Sequence, residues 1–125
     1  ITSYLTTSMK CPYNPEENWF MVSLFRPIPR VMITAAHEIF HIHFHKKFWS
    51  DMKKQLTDKQ IHYIKESLTV LLNLEFKDLW ILEDKGYQEH EELRKYIAKE
   101  WEKERNFEKL LEKCTNWINQ HQNLI

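Results

Sequence analysis

The chain has 125 residues, of which 42% are hydrophobic and 14% aromatic, enough apolar side chains for one domain with its own core. Its 18 Lys and Arg residues balance 18 Asp and Glu residues, and this zero net charge gives no support for a nucleic-acid partner, which needs a basic face. No run is long and apolar enough to span a membrane, and the two cysteines lack metal-type spacing, which favours a reducing, cytoplasmic compartment.

The N-terminal third is predicted to hold a minimal β-sheet. Two β-prone runs occur there, Ile1–Thr7 and Asn18–Arg26. Four prolines punctuate this third, and no proline occurs after it, so the rest of the chain is expected to be helical. The prolines are Pro12, Pro15, Pro27 and Pro29.

Val31–Phe48 is predicted to form one continuous helix with a His-Glu-x-x-His motif at positions 37–41. Apolar side chains surround its whole circumference, so we expect this helix to be buried. Residues four apart lie on the same face of a helix, so the imidazoles of His37 and His41 can bind one metal ion. Buried ionisable groups are costly unless they are paired or bind a metal, and the motif therefore predicts a zinc site.

Glu38 directly follows the first of these histidines. Its carboxylate is expected to act as the general base of a peptidase, taking a proton from water and passing it to the leaving amine. Two neighbouring histidines are not predicted ligands. His45 is about 12 Å from His37 along the helix axis, which places it at the rim of the cleft. His43 faces the other side and is expected to be a hydrogen-bonded packing residue.

A catalytic zinc site needs a third protein ligand. The motif is not extended by a glycine and a third histidine, because those positions are Phe44 and Lys47. Ile61–Phe76 is predicted to be a second helix, in which Glu66 lies opposite the main apolar stripe but beside other apolar residues. Glu75 is the rival, within the stripe but near the helix end. We expect Glu66 to be the third ligand and keep Glu75 as the alternative.

The only glycine, Gly86, is expected in a turn that ends a helix. A zinc peptidase also needs a hydrogen-bond donor for the oxyanion that forms when water attacks the peptide carbonyl. His90, on the first turn of the next helix, is the candidate, with Tyr87 as the alternative; a surface tyrosine and histidine at a helix start are the simpler interpretation. Two C-terminal helices follow, over residues 88–104 and after Asn106, which is expected to cap the second.

With His37-Glu38-x-x-His41 on one helix and Glu66 on the next, the chain resembles the gluzincin branch of the zincin metallopeptidases. In its short length it is similar to the minigluzincins. The resemblance implies that the two histidines and Glu66 bind Zn²⁺ and that Glu38 is the general base and acid. It also implies that Asn18–Arg26 is the edge strand above the cleft, where an extended substrate adds a strand. An ordinary core strand accounts for this run equally well.

The chain departs from the family pattern around the predicted third ligand. Family members often have Asn before this glutamate and an acid four residues after it, and these positions are Lys65 and Val70. The acid orients the first histidine in the family, so the partner of His37 is unassigned here. Such partners affect metal affinity strongly. The candidates are Ser67, Asn73 and Asp78.

These features predict one α+β domain over residues 1–125: a small zincin-like domain, mostly helical, with the sheet packed on the helix of the motif. Because the chain begins with Ile1, a fragment of a longer protein is also expected. The expected function is zinc-dependent hydrolysis of a peptide or protein substrate, in a form that is active or latent, with the cleft closed by a missing segment or by a second copy in a homodimer. The alternatives are a non-catalytic metal-binding or regulatory domain that binds protein partners through its C-terminal helices, and a helical interaction protein with an accidental motif.

Overall fold

The strands of the structure, a computed structural model that describes residues 1–79 and 81–122, form one three-stranded sheet. They are β1 (Thr2–Thr6), β2 (Tyr13–Asn14) and β3 (Trp19–Ser23), in the order β1-β3-β2. β1 is parallel to β3 and β2 is antiparallel to it. The predicted α+β class with a small N-terminal sheet is confirmed. β2 was not predicted, because two residues are too few to show an alternating pattern.

β3 is the central strand of this sheet. The expectation that Asn18–Arg26 forms an edge strand is therefore wrong, and the alternative of an ordinary core strand is right. Alternate side chains of a strand face the same side, and Phe20 and Val22 are both buried against Ile42. Ile42 belongs to the first helix, α1 (Ile28–Phe44), so the sheet packs on the helix of the motif as predicted.

The predicted continuous helix is present, but one of its faces is open. α1 continues through a π-helical turn, His45–Trp49, into the short α2, Ser50–Met52. The expected burial around the whole circumference is wrong, since Ile28, Met32 and Ile39 are exposed. The small sheet covers one face of α1, and no described residue buries these three side chains on the other.

The segment predicted as one helix after the motif forms two helices. α3 (Asp58–Leu68) begins with a capping box at Thr57, and α4 (Val70–Glu75) follows a break at Thr69. The hydroxyl of Thr69 donates a hydrogen bond to the carbonyl of Glu66 at 2.8 Å. Such a side-chain bond competes with the helical backbone pattern, which explains the break.

The two predicted C-terminal helices and their cap are confirmed. A 3₁₀ turn, Gln88–His90, leads into α5 (Glu91–Lys103), and α6 (Phe107–Gln120) follows. The side chain of Asn106 accepts a hydrogen bond from the backbone N–H of Lys109. The apolar faces of α3, α5 and α6 bury the main core. Its fully buried side chains include Ile61, Ile64, Leu68, Leu93, Ile97, Cys114 and Ile118.

The helices within residues 1–79 and 81–122 include none that is long and apolar enough to cross a membrane. That a single domain covers all of residues 1–125 stays a prediction.

We expect Leu93→Ala to lower the free energy of unfolding by about 2–5 kcal/mol, because Leu93 is 0% exposed and its loss leaves a cavity between α3 and α5. Leu79→Ala is the matched control. Leu79 is 60% exposed, so its truncation should change stability by less than about 0.5 kcal/mol. Urea unfolding followed by circular dichroism measures both, and equal effects would contradict the described core.

Candidate metal centre

Three predicted ligands meet between α1 and α3. His37 and His41 lie one turn apart on α1, and Glu66 projects from α3. The Nε2 atoms of His37 and His41 are 3.4 Å and 3.5 Å from the two carboxylate oxygens of Glu66. Ligands of a tetrahedral zinc ion, each about 2.0–2.1 Å from the metal, are roughly 3.3–3.4 Å from one another. The spacing of the three side chains therefore fits one metal ion, as no other such group within residues 1–79 and 81–122 does.

Glu75, the alternative third ligand, lies outside the cluster of His37, His41 and Glu66. Its carboxylate accepts a hydrogen bond from Nε1 of Trp101 at 2.7 Å and is 3.5 Å from the guanidinium of Arg105. These contacts hold it on α4, facing α5. The choice of Glu66 over Glu75 is therefore the one that agrees with the geometry.

Buried polar atoms in the cluster lack partners, which tests whether a metal fits. His41 is 2% exposed, and neither of its ring nitrogens makes a hydrogen bond; Oε2 of Glu38 is also buried without one. An unsatisfied buried polar group costs about 1–3 kcal/mol. A metal ion bound to Nε2 of His41 removes one of these costs. The donor set of two imidazoles and one carboxylate is also one that zinc prefers.

The first histidine of the motif is oriented by Asp84, which lies 47 residues further along the chain. Nδ1 of His37 is 2.7 Å from Oδ2 of Asp84, which leaves Nε2 to face Glu66. The three predicted candidates are wrong as direct partners: Ser67 donates to a carbonyl of its own helix, and Asp78 is exposed. Asn73 contacts Asp84 and not His37 itself. Its amide exchanges two hydrogen bonds of 2.8 Å with the backbone of Asp84.

The loop that carries Asp84 is held by a buried arginine. Arg94 of α5 donates to the carbonyl of Asp84 and to the hydroxyl of Thr69, both at 2.6 Å. Gly86 donates its N–H to Oδ1 of Asp84 and has a φ of +61°, which favours glycine. A Cβ at Gly86 would lie 2.7 Å from the guanidinium. Gly86 therefore permits a close approach within a loop, and the expected helix-ending turn is wrong because α4 ends at Glu75.

A buried lysine, Lys65, directly precedes Glu66 in the chain. Lys65 is 2% exposed, and its Nζ is 3.1 Å from Oε1 of Glu66. The same ammonium donates to the hydroxyl of Tyr13 at 2.7 Å. Lys65 thus connects β2 to the third predicted ligand and fixes one of its two oxygens.

The ionisable groups of the cluster shift one another. Burial by itself lowers the pKa of His37, but the carboxylates of Asp84 and Glu66 outweigh it and raise this pKa to about 9. Burial lowers the pKa of His41 to about 4, against the opposing effect of Glu38. Burial by itself raises the pKa of Glu66, yet the neighbouring positive charges hold it well below its ordinary value. His41 and Glu66 therefore have the protonation states that bind a metal, and His37 must release a proton to do so.

Two cavities flank the cluster, and Tyr87 lines both. One, which we name the His90 cavity, has a volume of about 430 Å³ and is also lined by Glu66 and His90. The other, which we name the Arg30 cavity, has a volume of about 520 Å³ and is also lined by Arg30 and Glu38. Glu66 lines the His90 cavity and His37 lines the Arg30 cavity, so the cluster borders both.

The two predicted oxyanion donors border the His90 cavity. His90 lies in the 3₁₀ turn before α5 and is 5% exposed, with its ring edge-on to Tyr63. Burial lowers the pKa of His90, which keeps it neutral, and its Nδ1 has no hydrogen-bond partner. Tyr87 is exposed at the rim. The simpler interpretation, two surface residues at a helix start, is therefore wrong for His90.

Two further histidines, His43 of α1 and His45 of the π-helical turn after it, have roles different from those expected. His45 stacks on Trp49 with 4.1 Å between ring centroids and lines neither cavity beside the cluster, so its expected place at the cleft rim is wrong. His43 is exposed and contacts Phe48 edge-on, and is therefore not a hydrogen-bonded packing residue.

Three residues around the cluster were not predicted as site residues, and two of them are marked by a recognisable pattern in the sequence. Lys65 lies four residues after Ile61 and three before Leu68, within the apolar stripe of its helix, which indicates a buried ammonium. Asp84 precedes the only glycine by two residues, a place typical of a specialised loop. Arg94 shows no comparable signal among the other charged residues of α5.

The chain matches no protein-family model, and comparison with curated proteins and with solved structures gives no match either. Functional assignment therefore depends on the geometry of the site.

We expect Asp84→Asn to weaken zinc binding roughly 10–100-fold, the usual effect of removing such a supporting carboxylate. His37 and Gly86 bind different oxygens of the Asp84 carboxylate, and asparagine replaces one of these oxygens with an NH₂ group that cannot accept. The substitution also removes the negative charge beside His37. Competition with a fluorescent zinc chelator measures the change. Asp78→Asn, at an exposed position, is the control, and equal affinities of the two variants would show that Asp84 does not support the site.

Proposed function

We propose that the protein is a zinc-dependent peptidase of the gluzincin type, with a zincin-like fold. The observation that carries the proposal is the spacing of His37, His41 and Glu66, with Glu38 beside them in an open groove. The buried, unpartnered nitrogens of His41 support it further. Release of fluorescence from a quenched peptide library, abolished by a chelator and restored by zinc, is the direct test.

His37, His41 and Glu66 would hold the metal. A bound zinc ion supplies Lewis acidity, which makes water a nucleophile near neutral pH. Asp84 keeps the ring of His37 in the tautomer whose Nε2 is free to bind, and Lys65 holds one oxygen of Glu66.

Glu38 moves the proton in the proposed reaction. Its carboxylate is largely buried, and it lines the Arg30 cavity directly beside His37. It accepts a proton from water as the new C–O bond forms at the peptide carbonyl, and it delivers that proton to the nitrogen as the C–N bond breaks. No net acid or base is consumed.

His90 is the proposed donor to the oxyanion, and Tyr87 is the alternative. The position of His90 in the same cavity as Glu66 supports this role, because an oxyanion needs a fixed donor within hydrogen-bond distance. Burial holds the ring of His90 in place, whereas the exposed Tyr87 must first become ordered by substrate.

A reducing, cytoplasmic compartment is part of the proposal, supported by the two free cysteines, Cys11 and Cys114. The proposed partner is a peptide or protein substrate, without nucleic acid or membrane. A latent homodimer, in which a second copy covers the groove, remains an expectation.

The alternative function is a non-catalytic metal-binding or regulatory domain that acts through protein partners. The C-terminal helices offer little for this purpose, since their apolar stripes lie in the core. A different observation favours it: the apolar side chains exposed on α1 and before it can contact a partner. They are Leu24, Phe25, Ile28, Met32 and Ile39. Stoichiometric zinc without turnover of any library peptide would favour this alternative.

We expect Glu38→Gln to lower the rate of hydrolysis by a factor of about 100 or more, because the amide keeps the shape of the side chain but cannot accept the proton. Zinc content and thermal stability should match those of the unchanged chain. Turnover of the quenched library and metal analysis of the same sample provide both measurements. Peptide cleavage at the unchanged rate would refute the assigned mechanism.

We expect Glu66→Ala to lose most zinc affinity, because two histidines on one helix hold an ion from one side only. Glu75→Ala is the control, since its carboxylate contacts α5 and not the cluster. Equilibrium dialysis against buffered zinc compares the two variants. Undiminished zinc occupancy in Glu66→Ala would move the site elsewhere.

A further inference from the structure

Three basic side chains line the Arg30 cavity without an acidic partner. They are Lys10, Arg26 and Arg30, and the described part of the chain gives none of them an ion pair. Arg26 donates only to the carbonyl of Met9, at 3.3 Å, and its Nε is buried without a partner. Other basic side chains in the structure do pair with acids, among them Lys53, Lys95, Lys109 and Lys113.

The acids in the same cavity do not neutralise this group. Asp84 is engaged with His37 and Gly86, and Glu38 points towards His41. The N-terminus of α1 adds to the positive potential, because its first turn has no acidic residue and no side-chain cap. The end of the Arg30 cavity that holds Lys10, Arg26 and Arg30 therefore carries a positive charge that no acidic side chain neutralises. Such a site suits an anionic group of a ligand.

The distance between the basic side chains of the Arg30 cavity and the cluster of His37, His41 and Glu66 determines where the anionic group of a ligand lies. Arg30 and His37 are seven residues apart on one face of α1, two turns or about 10 Å at 1.5 Å per residue. An extended peptide advances about 3.3–3.6 Å per residue. An anionic group held by Arg30 thus lies roughly three residues from the bond that faces His37 and Glu38.

We propose that the groove selects peptides with a carboxylate about three residues from the scissile bond, bound by Arg30 and Arg26 with Lys10 at the rim. This proposal rests on the proposed peptidase function and names its substrate class. Guanidinium groups bind carboxylates through two parallel hydrogen bonds, so two arginines facing one cavity favour a carboxylate over a neutral polar group. The carboxylate is that of an acidic side chain or that of the peptide C-terminus.

Binding tests the proposal without requiring turnover. The zinc-loaded full chain with Glu38→Gln is titrated calorimetrically with blocked hexapeptides in which one glutamate moves through an alanine sequence. Each has a matching glutamine peptide, and one glutamine peptide also carries a free C-terminal carboxylate. We expect a glutamate at one position, or the free carboxylate, to tighten binding roughly tenfold or more at low salt. The two arms distinguish a side chain from a C-terminus.

Substitution of Arg30 locates the effect. Arg30→Gln, added to Glu38→Gln, should remove the preference for glutamate, because the guanidinium of Arg30, which lines the cavity, makes no other polar contact within the described residues. Arg105→Gln is the matched control, since Arg105 pairs with Glu75 and does not line the Arg30 cavity. Equal affinities for glutamate and glutamine peptides at every position overturn the proposal, as does a preference that survives Arg30→Gln.

Cys11 gives a second measurement within the same cavity. It lines the Arg30 cavity and is partly exposed, whereas Cys114 is buried and its pKa is raised to about 12 by burial. A maleimide should therefore label Cys11 selectively, and the preferred peptide should slow this labelling. Tight binding without protection of Cys11 places the carboxylate elsewhere and overturns the proposal. Selective binding without library turnover in the unchanged chain would instead refute the peptidase function alone.

Discussion

The carboxylate of Glu66 lies between two imidazoles and a buried ammonium, and this polar contact joins α1 to α3 beside the apolar contact of Phe44 with the main core. Such groups are costly to bury unless each has a partner of opposite charge or a metal. His37 is held on its outer side by Asp84, whereas His41 is not held by any hydrogen bond. The unequal support of the two histidines adds to the spacing of the three side chains as an argument for a bound ion.

The surroundings of the cluster come from distant parts of the chain. Tyr13 approaches from the sheet, Asp84 from the loop after α4, and Arg94 from α5. None of these contacts is local in sequence, so they form only when the sheet and the C-terminal helices have packed on α1 and α3. The apolar core between α3, α5 and α6 therefore positions the polar site, and Tyr63 of this core contacts His90 directly.

The cluster of His37, His41 and Glu66 was predictable because helical spacing places these side chains: His37 and His41 share a face, and Glu66 lies opposite an apolar stripe. Residues fixed by tertiary packing were not. Asp84 reaches His37 through a loop whose path no periodicity describes. The central position of β3 depends on which strands pair with it. The exposed face of α1 depends on the small size of the sheet, which covers only the other face. The break at Thr69 depends on a hydroxyl that also accepts from Arg94.

The anchoring of Asp84 by Arg94 would also link a metal bound at the cluster to the stability of the C-terminal half. An ion that binds the cluster favours the state in which Asp84 supports His37, and that state requires α5 in place. By mass action, binding energy at the site then adds to the free energy of unfolding of helices that contribute no ligand. A chain ended before α5 would keep all three ligands and lose the frame that holds them.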